Sequence, residues 1–196
     1  MLSFFSATLL LIITPGPGVL SIAGLGSAYG FAAGQKFLWG LWLGNFLVGL
    51  AVILGLETVL FSIPYLPHVL LGLSLTYLSY LAFKIAFAGS EIAFIKAKRI
   101  PGFFDALALQ AVNPKAYAVN ATFFTTFNFW PNHFLEMILI KIIIVNVIWV
   151  PVHFGWLYAG STVRKLNLST NVQRSINIFM ALSMMVVVLL AVSARL

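Results

Sequence analysis

Long apolar runs separated by short polar connections dominate the chain, and a hydrocarbon core of about 30 Å takes roughly 20 helical residues to cross. Six segments meet that length, at residues 4–28, 37–62, 68–88, 103–127, 134–160 and 174–194. Four of the eight prolines, Pro64, Pro67, Pro101 and Pro131, fall in the connections, where proline punctuates helices. Pro15, Pro17, Pro114 and Pro151 lie inside segments. The pattern predicts an all-α integral membrane protein of six transmembrane helices in one polytopic domain, residues 1–196.

Composition sharpens this. The chain is 62% hydrophobic and 8% charged, with a mean hydropathy of +1.06, outside the range of soluble domains. Its 11 Lys and Arg against 4 Asp and Glu give +7, a balance that in a soluble protein would suggest nucleic acid. Here the charges lie mostly between apolar segments, so membrane orientation explains them and no nucleic-acid partner is expected. The first, third and fifth connections carry Lys36, then Lys96, Lys98 and Arg99, then Arg164, Lys165 and Arg174, while the second and fourth carry none. The rule predicts both termini outside and the basic loops in the cytoplasm. The amino terminus lacks a basic region ahead of its apolar stretch and reads as a mature first helix. The absence of cysteine rules out disulfides and thiolate metal ligands.

Two segments are interrupted near their middles. Thr14-Pro15-Gly16-Pro17-Gly18 breaks the first and Asn113-Pro114-Lys115 the fourth, about 100 residues apart. Free backbone groups in hydrocarbon cost several kcal/mol each, so such breaks point to a cavity. With three helices per half, the second half enters the membrane from the opposite side. Its first helix then repeats the break in inverted orientation, as in transporters built from inverted repeats. The predicted repeats cover about 1–95 and 100–196, each with a broken first helix.

Thr14-Pro15 and Asn113-Pro114 both place a capping side chain before a proline suited to the first helical position. Two half-helix N-termini would then face one site suited to a carboxylate; a plain proline kink satisfied by neighbours is the competing account. Lys115 is the one charge near mid-span, and a central lysine costs about 2.5–3.5 kcal/mol on insertion scales, so it needs a partner. Candidates are the carbonyls around Leu11 to Ile13, a substrate carboxylate, or a proton equilibrium. The alternative is a lysine held permanently by carbonyls to tie the two broken helices.

Gln110, Asn113, Tyr117 and Asn120 share one helical face, as do Asn146, Trp149, His153, Trp156 and Gly160. These stripes fit a pathway or interhelical hydrogen bonding equally. His153 alone reads as a satisfied interior histidine rather than a proton carrier. Asn45 is the main polar side chain of the second segment, as glue or as a site wall. Gly40 and Gly44, with Gly26, Gly30 and Gly34, predict close helix contacts, and such small-residue faces permit a homodimer. Glu57 and Lys141 lie at similar depths, either as an ion pair or snorkelling to the interface. No nucleophile motif, metalloprotease motif or phosphate loop occurs, so an enzyme fits poorly and no cofactor is called for.

Thr14-Pro15-Gly16-Pro17, Gly40 to Gly44 with a polar residue after it, Tyr77-Leu78 with Lys84, and Asn113-Pro114-Lys115-Ala116 together resemble the LysE/RhtB family of amino acid exporters. The resemblance covers nearly the whole chain. It implies export of amino acids or their derivatives across a bacterial inner membrane, coupled to the proton gradient, with both broken helices forming the site. Members commonly carry Asn directly after Pro-Gly-Pro and an acidic residue after the second-helix glycine, where this chain has Gly18 and Asn45.

The expected substrate site is Thr14, Pro15, Gly16, Pro17, Asn45, Asn113, Pro114, Lys115 and Asn120, with lipids as the surrounding partner. Without a deep carboxylate to neutralise a second positive charge, a neutral amino acid fits better than a lysine-like one. Two other functions stay open. One is a divalent metal-cation exporter, although metals want several oxygen or imidazole ligands and this core offers one histidine and no carboxylate. The other is a membrane interaction protein that moves nothing.

Overall fold

The computed structural model describes residues 1–14, 16–55 and 100–166 continuously, together with scattered positions within 62–86 and 169–185. Pro15, Glu57, Tyr77, Leu78, Lys84 and the basic group Lys96, Lys98 and Arg99 lie outside the described residues. Among those described there are six α-helices, one π-helical turn and no strand: α1 (Leu2–Ile13), α2 (Pro17–Tyr29), α3 (Phe31–Ile53), α4 (Phe103–Val112), α5 (Pro114–Ala121), the π-helical turn Thr122–Thr126 and α6 (Phe134–Lys165). Where residues of the third and sixth apolar segments are described, from Val69 to Ala86 and from Thr170 to Met185, they are helical.

The first apolar segment divides into α1 and α2, which meet at a bend of 50°. The second starts six residues earlier than its hydrophobicity predicts. Gly30, at φ +87°, reverses the chain in a single residue, so α3 begins at Phe31 and takes Gln35 and Lys36 into its first turns. The fifth runs past residue 160 to Lys165, because Ser161 and Thr162 turn their hydroxyls back onto the Tyr158 carbonyl at 3.0 and 2.8 Å and stay helical. It also continues through Pro151.

The α3 and α6 helices are long and apolar enough to cross a bilayer, and the bent pair α1–α2 supplies a third candidate span. At 10 residues, α4 reaches only about half the hydrocarbon depth. The polarity is inverted relative to a soluble domain. Leu2, Leu10, Leu47, Ile143 and Val147 face outward, whereas Thr8, Ser21, Gln110, Asn113, Asn120, Lys141 and His153 are buried. That is the distribution lipid demands.

Glycines set the interhelix spacing. A β-carbon on Gly40 would collide with the Phe103 carbonyl, and one on Gly44 would lie 2.6 Å from Gln110 Cβ, so α3 and α4 touch backbone to backbone. Between α2 and α6, a β-carbon on Gly26 would meet the Leu157 carbonyl at 2.7 Å, and one on Gly160 would collide with the Ala23 carbonyl. These contacts press both breaks toward the same interior.

Candidate functional site

At the first break, helix α1 ends at Ile13, and the Thr14 hydroxyl donates back to the Leu10 carbonyl. Thr14 therefore closes α1 and does not cap the next helix. Gly16, in extended conformation, is the N-cap of α2, and Pro17 takes its first position. The restart thus falls two residues later than Thr14-Pro15 predicts, since the threonine hydroxyl is already committed to its own helix. No side chain caps α2.

The second break follows its sequence grammar. Asn113 Oδ1 accepts from the Lys115 backbone N–H at 3.1 Å, and Pro114 holds the first position of α5. Asn113 Nδ2 in turn donates to Gln110 Oε1 at 2.8 Å. The two N-termini therefore differ in kind: α5 is capped by its own asparagine, whereas the N-cap of α2 is a glycine with no side chain to cap it.

Lys115 joins the breaks. Its Nζ donates to the Thr14 carbonyl oxygen at 2.8 Å, one residue beyond the Leu11 to Ile13 carbonyls that are among the candidates from sequence. The stem crosses directly over Gly16, where a β-carbon would sit 2.8 Å from Lys115 Cδ and 2.9 Å from Nζ. An ammonium carries three donors. Two have no protein partner among the described residues.

A cavity of about 60 Å³ opens beside this bond. Gly16 to Val19 form one wall and Asn113, Lys115 and Ala116 another; Asn45 comes from α3, Trp149 and His153 from α6. Of the expected site residues, Gly16, Pro17, Asn45, Asn113 and Lys115 converge on it. Thr14 contributes its carbonyl through Lys115, and Pro114 starts α5. Asn120 sits deeper: its Nδ2 donates to Asn45 Oδ1 at 3.1 Å and to the Ala116 carbonyl at 2.8 Å. Beyond that amide pair lies a second cavity of about 20 Å³, reached by Asn45, Asn120 and Asn146.

Two breaks joined by a lysine thus border one cavity lined by both polar and apolar side chains. The sequence model of the LysE type translocators matches residues 9–194. The chain belongs to that family. It is also 28% identical over 181 residues to the cysteine/O-acetylserine efflux proteins of Salmonella typhi and Escherichia coli K12, covering 92% of this chain and 91% of each relative. No solved structure matches it. Membership makes the chain a translocator, which moves a small molecule.

His153 is buried and bonded as a satisfied interior histidine, as the sequence predicts, and it also borders the cavity of this translocator. Its Nδ1 lies 2.9 Å from the Trp149 carbonyl, its ring stacks on Trp149 at 3.6 Å between centroids, and it lines the cavity. The four-residue spacing of Trp149 and His153 was visible; that this face meets the breaks was not. Trp42 Nε1 donates to Asn146 Oδ1 at 2.7 Å, tying α3 to α6. Lys141 is fully buried, with Nζ 3.4 Å from the Phe124 carbonyl in the π-helical turn and 5.8 Å from the ring centres of Phe4 and Phe129. This aromatic enclosure suits a cation; Glu57, its candidate ion-pair partner, lies outside the described residues.

Proposed function

We propose that this translocator exports small neutral amino acids or their O-acyl derivatives across the inner membrane of a bacterium, from the cavity between its two broken helices. The observation that carries the proposal is Lys115, which crosses from one break to the other and, among the described residues, leaves two donors without a protein partner beside the start of α2, which no side chain caps. A carboxylate bound there gains a charged hydrogen bond and the positive end of a helix. Asn45 and Asn113 add amide groups around it, with Asn120 behind them holding Asn45. The absence of a carboxylate among the residues lining this cavity favours a substrate with one positive charge over two. The names of the relatives, cysteine/O-acetylserine efflux proteins, supply the substrate class.

The proposed architecture is six spans in two inverted three-helix repeats, about 1–95 and 100–196, with both termini outside. It is supported by the two breaks and by the alternation of basic and uncharged connections. Proton coupling is part of the proposal as a family trait.

The test is counterflow of labelled O-acetyl-L-serine and L-cysteine into proteoliposomes, with intact protein and Lys115→Met at matched reconstitution. Saturable exchange by the intact protein that is lost in the variant supports the proposal. Preferential movement of lysine or arginine overturns the neutral-substrate part. Absence of exchange for every amino acid, with protection of cells against a divalent metal, would favour cation export; absence of both would favour a non-transport role.

A further inference from the structure

We infer that His153 Nε2 is the acceptor that reads the substrate's amino group, an inference that rests on the amino acid export proposed above. Four observations lead there. His153 is 5% exposed and lines the same cavity as Lys115. Its Nδ1 is 2.9 Å from the Trp149 carbonyl, and a carbonyl can only accept, so the hydrogen of the neutral ring sits on Nδ1. Nε2 is then a bare acceptor without a protein partner among the described residues. The ring cannot easily turn away, because it lies flat on Trp149 with an interplanar angle of 10°.

Each side-chain amide oxygen in the cavity already accepts one hydrogen bond. Asn113 Oδ1 accepts from Lys115, Gln110 Oε1 from Asn113, and Asn45 Oδ1 from Asn120. A zwitterion entering the cavity meets donors at Lys115 and the start of α2, and needs an acceptor for its ammonium group. Asn45 Oδ1 on α3 is engaged by Asn120, and among the described side chains lining the cavity an acceptor nitrogen with no partner lies on α6, at His153. A neutral imidazole accepts one hydrogen bond without adding a negative charge. It therefore holds a singly charged ammonium and gives nothing to balance a second one.

The experiment is inhibition of O-acetyl-L-serine counterflow by L-cysteine and by 3-mercaptopropionate, which is cysteine without its amino group. Intact protein is compared with His153→Phe, which keeps the ring stack and removes the acceptor, and with His153→Gln, which retains an acceptor oxygen. For intact protein, L-cysteine is expected to inhibit at about tenfold lower concentration than 3-mercaptopropionate. In His153→Phe that preference disappears while inhibition by 3-mercaptopropionate stays within about twofold, and His153→Gln recovers part of it. Should His153→Phe not fold, nitrogen NMR of the intact protein labelled at histidine decides: the His153 Nε2 resonance must move with L-cysteine and not with 3-mercaptopropionate. An equal effect of the variant on both ligands, or none on either, overturns the inference while leaving amino acid export standing. Absence of any counterflow by intact protein overturns both.

Discussion

Lys115 and Thr14, 101 positions apart in the chain, meet across the two broken helices, with the lysine Nζ donating to the threonine carbonyl at 2.8 Å. That carbonyl belongs to the C-cap of α1 and faces no further turn of helix. The bond satisfies an orphan acceptor at the break with a charged donor, while two donors of the lysine have no protein partner among the described residues. The same residue can thus hold the breaks together and bind a substrate.

Lys115→Met separates the two roles, because it keeps the stem over Gly16 and removes the ammonium. Counterflow of a neutral amino acid is expected to fall by at least about tenfold, from loss of a charged hydrogen bond worth about 1.5–3 kcal/mol. Thermal unfolding in detergent is expected to shift by the equivalent of less than about 2 kcal/mol, since the exposed Thr14 carbonyl can turn to water. Loss of the folded protein itself would assign Lys115 to structure alone.

Gly16→Ala moves Lys115 without touching it chemically. The added β-carbon would fall 2.8 Å from Lys115 Cδ, and the flexible lysine has to swing aside. Apparent substrate affinity should drop several-fold, whereas stability changes by about 1 kcal/mol, the low end of overpacking costs. Counterflow at varied substrate concentration, alongside a melting curve, checks both. An unchanged affinity would place the substrate away from this lysine.

The glycine contacts make a paired stability test. Gly40→Val meets the Phe103 carbonyl, a backbone atom that cannot step aside, and should destabilise by about 3 kcal/mol or more. Gly155→Ala points into open space on α6 and should be neutral or stabilising by up to about 1 kcal/mol. Fluorescence-detected melting of the two variants in one detergent measures the difference. Similar melting temperatures would contradict the α3–α4 contact.

Asn45→Asp restores a carboxylate to the cavity. Its oxygen can still accept from Asn120 Nδ2, so the contact now at 3.1 Å survives. The new charge lies in the same cavity as Lys115, which offsets part of its burial cost. Transport of lysine relative to serine is expected to rise about tenfold, equivalent to about 1.4 kcal/mol of differential binding. An unaltered lysine-to-serine ratio in a competition assay would remove Asn45 from the substrate's surroundings.

Much of this was legible in the chain. Asn113 as a cap before Pro114 needs only local geometry, because the asparagine oxygen and the amide two residues on are bound to meet once proline sets the turn. Thr14 before Pro15 has the same appearance and behaves otherwise. A threonine at the end of a helix can bond to the carbonyl four residues back, and here that option prevails, leaving Gly16 to start α2. The boundaries of α3 and α6 slipped for related reasons. A single glycine at positive φ can replace a whole polar connection, and hydroxyl residues can prolong a helix that hydropathy would end.

By itself the sequence determined the membrane-spanning class, the two interruptions and the polar residues available to fill them, because those follow from hydropathy, proline chemistry and helical period, which act over a few neighbours. Only the tertiary structure decided that Lys115 reaches Thr14, that the asparagine oxygens are mostly engaged, and that His153 on α6 completes the cavity. Those pairings depend on how closely helices far apart in sequence approach one another. Gly26, Gly40, Gly44 and Gly160 set that distance, and although the glycine spacing predicts close contacts, it does not say which helix each one meets.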